Sequence, residues 1–464
     1  ASHGWQGLDS RGQAAEAAKV WRSWEHDRAG QITALHDAMR DSRAYQYDPA
    51  SRLTAVNAGR ASETFAYDPA GNLLAVGQGK VTHVGKVRGD RLLSLVTPEH
   101  PVDAVPQYTY DGHGNCTAVT VPAFGASEAL TTRYRYDGAH QLRGIEHANG
   151  GASRYEYDAM GRRTAKHYTD ANGRNVMTLF VWDGDWMAQE IRTDKAKPVT
   201  YIPHPNHAGP MTKLDGAKAY HYATDHLGTP QEVYDEKREI VWAADLSAYG
   251  KTRHYLKHEI DNPLRFPGQY FDAESGLHYN RFRYYDPQAG RYVNQDPIGL
   301  KGGLHLYAYA NLAPTQYVDS LGLASCSYNI TAGRLRCTPS DPQHTPVDIP
   351  VASGNNGAGM QCKNNPQCIT NANRGPIPTG NWKWNITGPG AANSKPNGRR
   401  LVPQSGTNTY GRGGFLTHSC LNAFGPSLGP QFCSEGCITG SSPAMQSLNH
   451  LLDAEPDSTL EITP

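Results

Sequence analysis

One unit recurs along the first half of this chain and limits what it can fold into. It consists of an aromatic residue, an aspartate, a short turn and an apolar alternation. It reads YQYDPASRLTAV at Tyr47–Asp48, FAYDPAGNLLAV at Tyr67–Asp68, YTYDGHGNCTAV at Tyr110–Asp111, YRYDGAHQLRGI at Tyr136–Asp137 and YEYDAMGRRTAK at Tyr157–Asp158. SWEHDRAGQITAL, around His26 and Asp27, is a degenerate copy. Several intervals are 20 or 21 residues. Repetition at that period predicts an array of small units sharing one buried face.

The local chemistry of each unit predicts a hairpin. Tyr45 and Tyr47, or Tyr155 and Tyr157, alternate and so fall on one face of a strand. Asp bonds its own following backbone, and the glycine after it accepts a positive φ, so the chain reverses tightly. A second strand, such as Leu73 to Val76, then returns. One such hairpin is too small to stand alone, and stacking buries the shared face. The Ala-rich stretch Ala14 to Val20 sits in the same frame and is expected to be strand or loop.

Composition agrees with a turn-rich β protein: glycine 48, proline 31, and tyrosine 26 against phenylalanine 9. The length of 464 residues allows two or three domains. The formal net charge of zero gives no field that would draw the chain to nucleic acid or an anionic membrane. No apolar run is long enough for a membrane span. The start, ASHGWQGLDSRGQ, lacks the basic-then-apolar layout of a signal peptide and begins within a repeat, so the chain reads as a fragment of something longer.

These units resemble the YD repeats of the Rhs family, which is related to the C subunits of insecticidal toxin complexes. The resemblance continues in AYHYATDHLGTPQEVYDEKREIVWAADLSAYGK and culminates in the stretch from Arg283 to Leu323. It implies a β-hairpin spiral shell over residues 1–260, a core-end and autoproteolysis segment over 261–323, and a C-terminal cargo over 324–464. His221, Asp225 and His226 have metal-ligand chemistry, but they fall inside a structural motif of the family, so no metal site is expected.

The border stretch carries two aspartates, Asp296 in QDPIGL and Asp319 in VDSLGL, with Arg283 upstream. A carboxylate pair can share one proton, one member activating water while the other protonates the leaving amine. An arginine nearby holds one carboxylate ionised. Two aspartates in turns are ordinarily turn residues. The Rhs resemblance implies more: self-cleavage after the Leu of the shell end, here Leu323–Ala324, with Arg283, Asp296 and Asp319 as the matched residues. Ser320 stands where the family usually has proline, which implies a looser turn and slower cleavage.

After Leu323 the composition changes. Seven cysteines follow: 326, 337, 362, 368, 420, 433 and 437. That density suits an oxidising destination. Nearest-neighbour pairing joins Cys326–Cys337, Cys362–Cys368 and Cys420–Cys433 and leaves Cys437, although sequence alone does not fix connectivity. The spacings form no convincing pair of zinc knuckles. In RGGFLTHSCLNAFGPSLGPQFCSEGCITG, His418 precedes Cys437. A histidine in reach of a cysteine generates the thiolate nucleophile. Gly436 permits a tight turn whose amides face an oxyanion. Upstream, GPIPTGNWKWNI predicts a turn feeding a strand.

This segment resembles the L,D-transpeptidase (YkuD-like) domain, particularly its toxin branch. The resemblance implies Cys437 as nucleophile, His418 as base, Ser434 and Gly436 shaping the loop and oxyanion hole, and Arg412 holding a substrate carboxylate. Ser419 replaces the Gly after His, and no Arg closely follows Cys437. The expectation is therefore a mainly β chain, a YD-repeat shell fragment followed by a small β-rich L,D-transpeptidase-like domain, needing no cofactor. It would be a secreted antibacterial effector of the type VI kind, made in the producer's cytoplasm, with its cargo acting on peptidoglycan in a target periplasm. Implied partners are an immunity protein, a secretion spike of the VgrG/PAAR type and a chaperone, with no nucleic acid. The alternatives are a cargo of another chemistry, nuclease or NAD-consuming, and a non-enzymatic repeat scaffold.

Overall fold

The structure is a computed structural model. It describes residues 2–4, 21–27, 31–77, 84–98, 105–123, 128–204, 209–297, 299 and 305–319, and in the C-terminal region the eight strands named below. The fold is mainly β. The chain divides into two compact units: one holds residues 1–178, 231–295 and 307–318, and the other holds 179–230, 296–306 and 319–464.

In the first unit, strands follow one another as antiparallel neighbours. The opening sheet runs Ser2–Gly4, Trp21–His26, Ile32–Asp37, Arg43–Tyr47, Leu53–Asn57, Glu63–Tyr67, Leu73–Gly77. A second run continues from Lys86–Arg88 to Arg163–Thr169 in the same fashion. The degenerate copy at His26–Asp27 does form a hairpin.

Each repeat turn is built the same way. The aspartate Oδ1 accepts the backbone N–H groups two and four residues on: Ala50 and Arg52 on Asp48, His113 and Asn115 on Asp111, Met160 and Arg162 on Asp158. The backbone closes the loop between Asp48 N and Arg52 O, and between Ser51 N and Asp48 O. In the described repeat turns the residue three after Asp takes positive φ, at Gly71, Gly114 and Gly161 but also at Ser51, His140 and Arg238. Burial pushes the pKa of Asp48 up, but hydrogen bonds from the Arg52 backbone and side chain outweigh it and hold the carboxyl below its ordinary value.

The tyrosine before each aspartate sits at a register shift. Pairing slips between Gln46 and Tyr47, Ala66 and Tyr67, Thr109 and Tyr110, Arg135 and Tyr136, and Glu156 and Tyr157. Such a bulge re-aims the side chain. Tyr67 Oη accordingly donates to Leu53 O of the preceding unit at 2.8 Å, and Tyr157 Oη to Leu142 O at 2.6 Å. Arginines of the preceding unit lie over the same rings, Arg52 over Tyr67 and Arg143 over Tyr157. Tyr67 and Tyr157 are thus ties between successive units.

The chain then returns to its own beginning. The strand Pro230–Tyr234 brings Glu232, wholly buried, against Arg22 and Arg40, which Asp37 also engages. The strands Ile240–Leu246 and Thr252–His258 follow. Next comes a four-stranded meander, Tyr270–Asp272, Leu277–Asn280, Arg283–Asp286 and Arg291–Tyr292. Residues from 249 to 315 meet the repeats in turn: Tyr249 with Tyr67, Tyr284 with Tyr157, Tyr307 with Gly114 and Thr315 with Tyr47. Arg163 and Lys166 reach Asp272.

The second unit holds an antiparallel run, Trp186–Arg192, Val199–Pro203, Pro210–Asp215 and Lys218–Thr224. It also holds the C-terminal sheet. Its strand order is Val347–Pro350, Arg334–Cys337, Cys326–Asn329, Thr459–Thr463, Gly380–Asn385, Arg399–Pro403, Leu416–Ser419, Ile438–Gly440. The strand expected from GPIPTGNWKWNI spans Gly380–Asn385. Cys326 and Cys337 stand directly opposite each other in register. Ala14 to Val20 lies outside the described residues, as do Cys362, Cys368, Cys420, Cys433 and Cys437.

Candidate active sites in the border segment and the C-terminal region

Arg283 opens the strand Arg283–Asp286 and is buried, with its guanidinium 3.6 Å from the centroid of the Tyr292 ring. That ring supplies a face for the cation. Asp286, three residues on, spends its Oδ1 on the N–H groups of Gln288 and Ala289, yet burial outweighs these bonds and raises its pKa. It is a turn aspartate, but it accepts from the residues two and three on, whereas the repeat aspartates accept from two and four on.

Asp296 is 5% exposed and Asp319 7% exposed. Both belong to the second compact unit, and Arg283 belongs to the first. Neither residue is without an interaction partner. The Asp296 N–H donates to Leu306 O at 2.9 Å, and its carbonyl accepts the Gly299 N–H at 2.8 Å. Pro297 occupies the second position of this turn, and Gly299 has φ +63°. Ser320, Leu323 and Ala324 lie outside the described residues.

In the C-terminal sheet, His418 lies on the strand Leu416–Ser419. That strand pairs in parallel with Ile438–Gly440, with Thr417 opposite Ile438 and His418 opposite Thr439. The second strand therefore begins at the residue that follows Cys437 in the sequence. Cys437 itself, Ser434, Gly436 and Arg412 lie outside the described residues.

The histidine motif of the second unit contains a turn of the repeat type. Asp225 Oδ1 accepts the N–H groups of Leu227 and Thr229, the repeat-turn pattern again. His221 Nδ1 lies 3.3 Å from Thr212 Oγ1. A cavity of about 690 Å³ in the first unit is lined by Arg40, Arg43, Glu63, Asp245, Tyr249 and Arg253 among others. Its charges answer one another: Arg43 pairs with Asp245, and Arg253 with Glu63 at 2.5 Å.

The family profile described as Teneurin YD-shell matches residues 16–305. The chain belongs to the YD-shell family. Among curated relatives, the double-stranded DNA deaminase toxin A of Burkholderia cenocepacia is 33% identical over 371 residues, 71% of this chain and 25% of the relative. The toxin protein Tse5 of Pseudomonas aeruginosa is 36% identical over 255 residues, 47% of this chain and 19% of the relative. The probable deoxyribonuclease RhsB of Dickeya dadantii is 33% identical over 329 residues, 69% of this chain and 22% of the relative. The chain thus spans a quarter or less of these relatives. Among solved structures, TcdB2–TccC3 without its hypervariable C-terminal region matches at 17% identity and a TM-score of 0.42, over 66% of this chain and 18% of the other.

Sequence reasoning did not single out Arg22, Asp37, Glu232, Arg163 or Asp272, which form the buried ionic seams of the YD shell. Their partners lie more than a hundred residues away in most cases, and no local motif marks them.

Proposed function

We propose that this YD-shell chain is the C-terminal part of a secreted toxin, with residues 1–260 and 261–323 as container and 324–464 as cargo. Asp296 and Asp319 cut Leu323–Ala324, one carboxylate activating water and the other protonating the leaving amine, with Arg283 in support. We read the cargo as a cysteine enzyme acting on peptidoglycan tetrapeptide stems. One observation carries this: the strand holding His418 runs parallel to, and pairs with, the strand that starts immediately after Cys437.

In this reading His418 takes the Cys437 thiol proton, and the thiolate attacks the carbonyl of the diaminopimelate L-centre. The C–N bond to D-Ala breaks, and His418 returns the proton to the departing amine. Water then resolves the thioester, giving carboxypeptidase activity, or a second amine does, giving transpeptidase activity. Amides near Gly436 face the oxyanion.

A second reading draws more support from the relatives. Their names include a double-stranded DNA deaminase, a deoxyribonuclease and a tRNA nuclease, which favours a cargo acting on nucleic acid. These names differ among proteins that share the YD repeats, a pattern expected when one shell carries different cargoes. The two readings separate by compartment. Expression with an export signal should kill through Cys437 if the target is the wall, and expression in the cytosol should be harmless. Killing from the cytosol, undiminished by Cys437→Ala, supports nucleic acid instead.

A further inference from the structure

We propose that Cys326 and Cys337 are a redox-controlled staple, two thiols in the producing cell that become one disulfide when the chain reaches an oxidising compartment. The backbone places them as a directly opposed pair at one end of an antiparallel ladder that continues through Ser327–Arg336, Tyr328–Leu335 and Asn329–Arg334. Opposed residues in such a ladder have Cα atoms about 4.5 or 5.5 Å apart, according to the hydrogen-bonding position. Both values fall within the roughly 4.4–6.8 Å that a disulfide spans. The register alone thus meets the Cα separation that a disulfide requires. The short connection between the two strands keeps each cysteine the other's nearest permanent neighbour in sequence and in register.

The position gives the bond a consequence. The strand Cys326–Asn329 lies between two partners in the C-terminal sheet, Arg334–Cys337 and the parallel strand Thr459–Thr463. If Leu323–Ala324 is cut, Cys326 lies two residues from the new N-terminus, and the staple fixes that end in the sheet. The disulfide itself does not depend on the cleavage or on the cargo's substrate. Its formation removes two protons and two electrons from the thiols, and these pass to a disulfide oxidant, such as an oxidoreductase disulfide or glutathione disulfide. A reducing cytosol holds the pair open, and an oxidising space closes it.

The test uses the whole 464-residue chain. The protein is purified without reductant and equilibrated with an excess of glutathione disulfide, its remaining free thiols are alkylated with iodoacetamide under denaturing conditions, and trypsin and a protease cutting before Asp are applied. The proposal predicts that the peptides holding Cys326 and Cys337 travel as one ion that splits on reduction. Alkylation of either cysteine in unreduced protein, or a bridge from either to another cysteine, overturns it. Cys326→Ser provides a second readout. Its thermal midpoint should fall below that of the parent without dithiothreitol and match it with dithiothreitol. Equal midpoints in both buffers would remove the stapling role.

Discussion

Arg163 donates from Nη1 to Asp272 Oδ2 at 2.5 Å and from Nη2 to Asp272 Oδ1 at 3.1 Å, with neither side chain exposed at all. Four tyrosine rings surround the guanidinium, Tyr279 nearest at 4.3 Å, then Tyr270, Tyr155 and Tyr284. Lys166 reaches the same carboxylate at 2.9 Å. The pair joins the last repeat strands to the meander that precedes the border segment. Removing one partner strands a buried charge. Asp272→Ala should cost about 3–5 kcal/mol, read from urea unfolding of the parent and variant.

The same pair sets an acid limit. Burial raises the Asp272 pKa, but Arg163 and Lys166 outweigh it and hold the carboxyl below its ordinary value. A depressed folded pKa means the stabilisation is present above the unfolded carboxylate pKa of about 3.9 and lost as pH falls through the folded value. The stability of Asp272→Asn should therefore fall less than that of the parent on acidification below about pH 4, measured by denaturant titrations across that range.

The repeat turn makes a prediction of the opposite sign. Ser51 holds φ +64° where most copies have glycine. A non-glycine residue in that region carries about 1–2 kcal/mol of strain, against which glycine costs chain entropy. Ser51→Gly should raise stability by up to about 1 kcal/mol, seen as a higher urea midpoint with an unchanged slope.

Two half-buried tyrosines separate the hydroxyl's role from the ring's. Tyr157 Oη bonds Leu142 O and Tyr284 Oη, whereas Tyr136 Oη has no hydrogen-bond partner among the described residues. Tyr157→Phe should cost about 1–3 kcal/mol because it leaves those buried groups unsatisfied. Tyr136→Phe should stay within about 0.5 kcal/mol. Equal losses in unfolding experiments would deny that the repeat tyrosines tie successive units through their hydroxyls.

Much of this was legible in the sequence, for a physical reason. The Asp turn is local: the carboxylate and the amides it accepts lie within four residues, so YD followed by a turn residue announces the hairpin. The turn at Asp170 has no tyrosine before it and escaped the pattern, although its Oδ1 accepts the Asn172 and Arg174 N–H groups as in the others. The seams were illegible because Glu232 finds Arg22 across 210 residues. At the border, the sequence picked out Asp296 and Asp319, and both prove buried. A buried carboxylate is also what a plain structural ion pair would show. For the cargo, the strand holding His418 pairs in parallel with Ile438–Gly440, and Cys437 itself lies outside the described residues.

The cut itself is tested on a denaturing gel. Incubated protein should yield fragments corresponding to residues 1–323 and 324–464, and Asp296→Asn or Asp319→Asn should remain a single chain. A parent chain that stays intact on long incubation contradicts the assignment of these carboxylates.

The most direct measurement of the central claim is digestion of purified tetrapeptide muropeptides by the protein, followed by mass spectrometry. The account predicts loss of the terminal D-Ala or its exchange for another amine with the parent chain, and unchanged tetrapeptides with Cys437→Ala and His418→Ala. Unchanged tetrapeptides with the parent chain, or equal conversion by the parent and the Cys437→Ala variant, would contradict it.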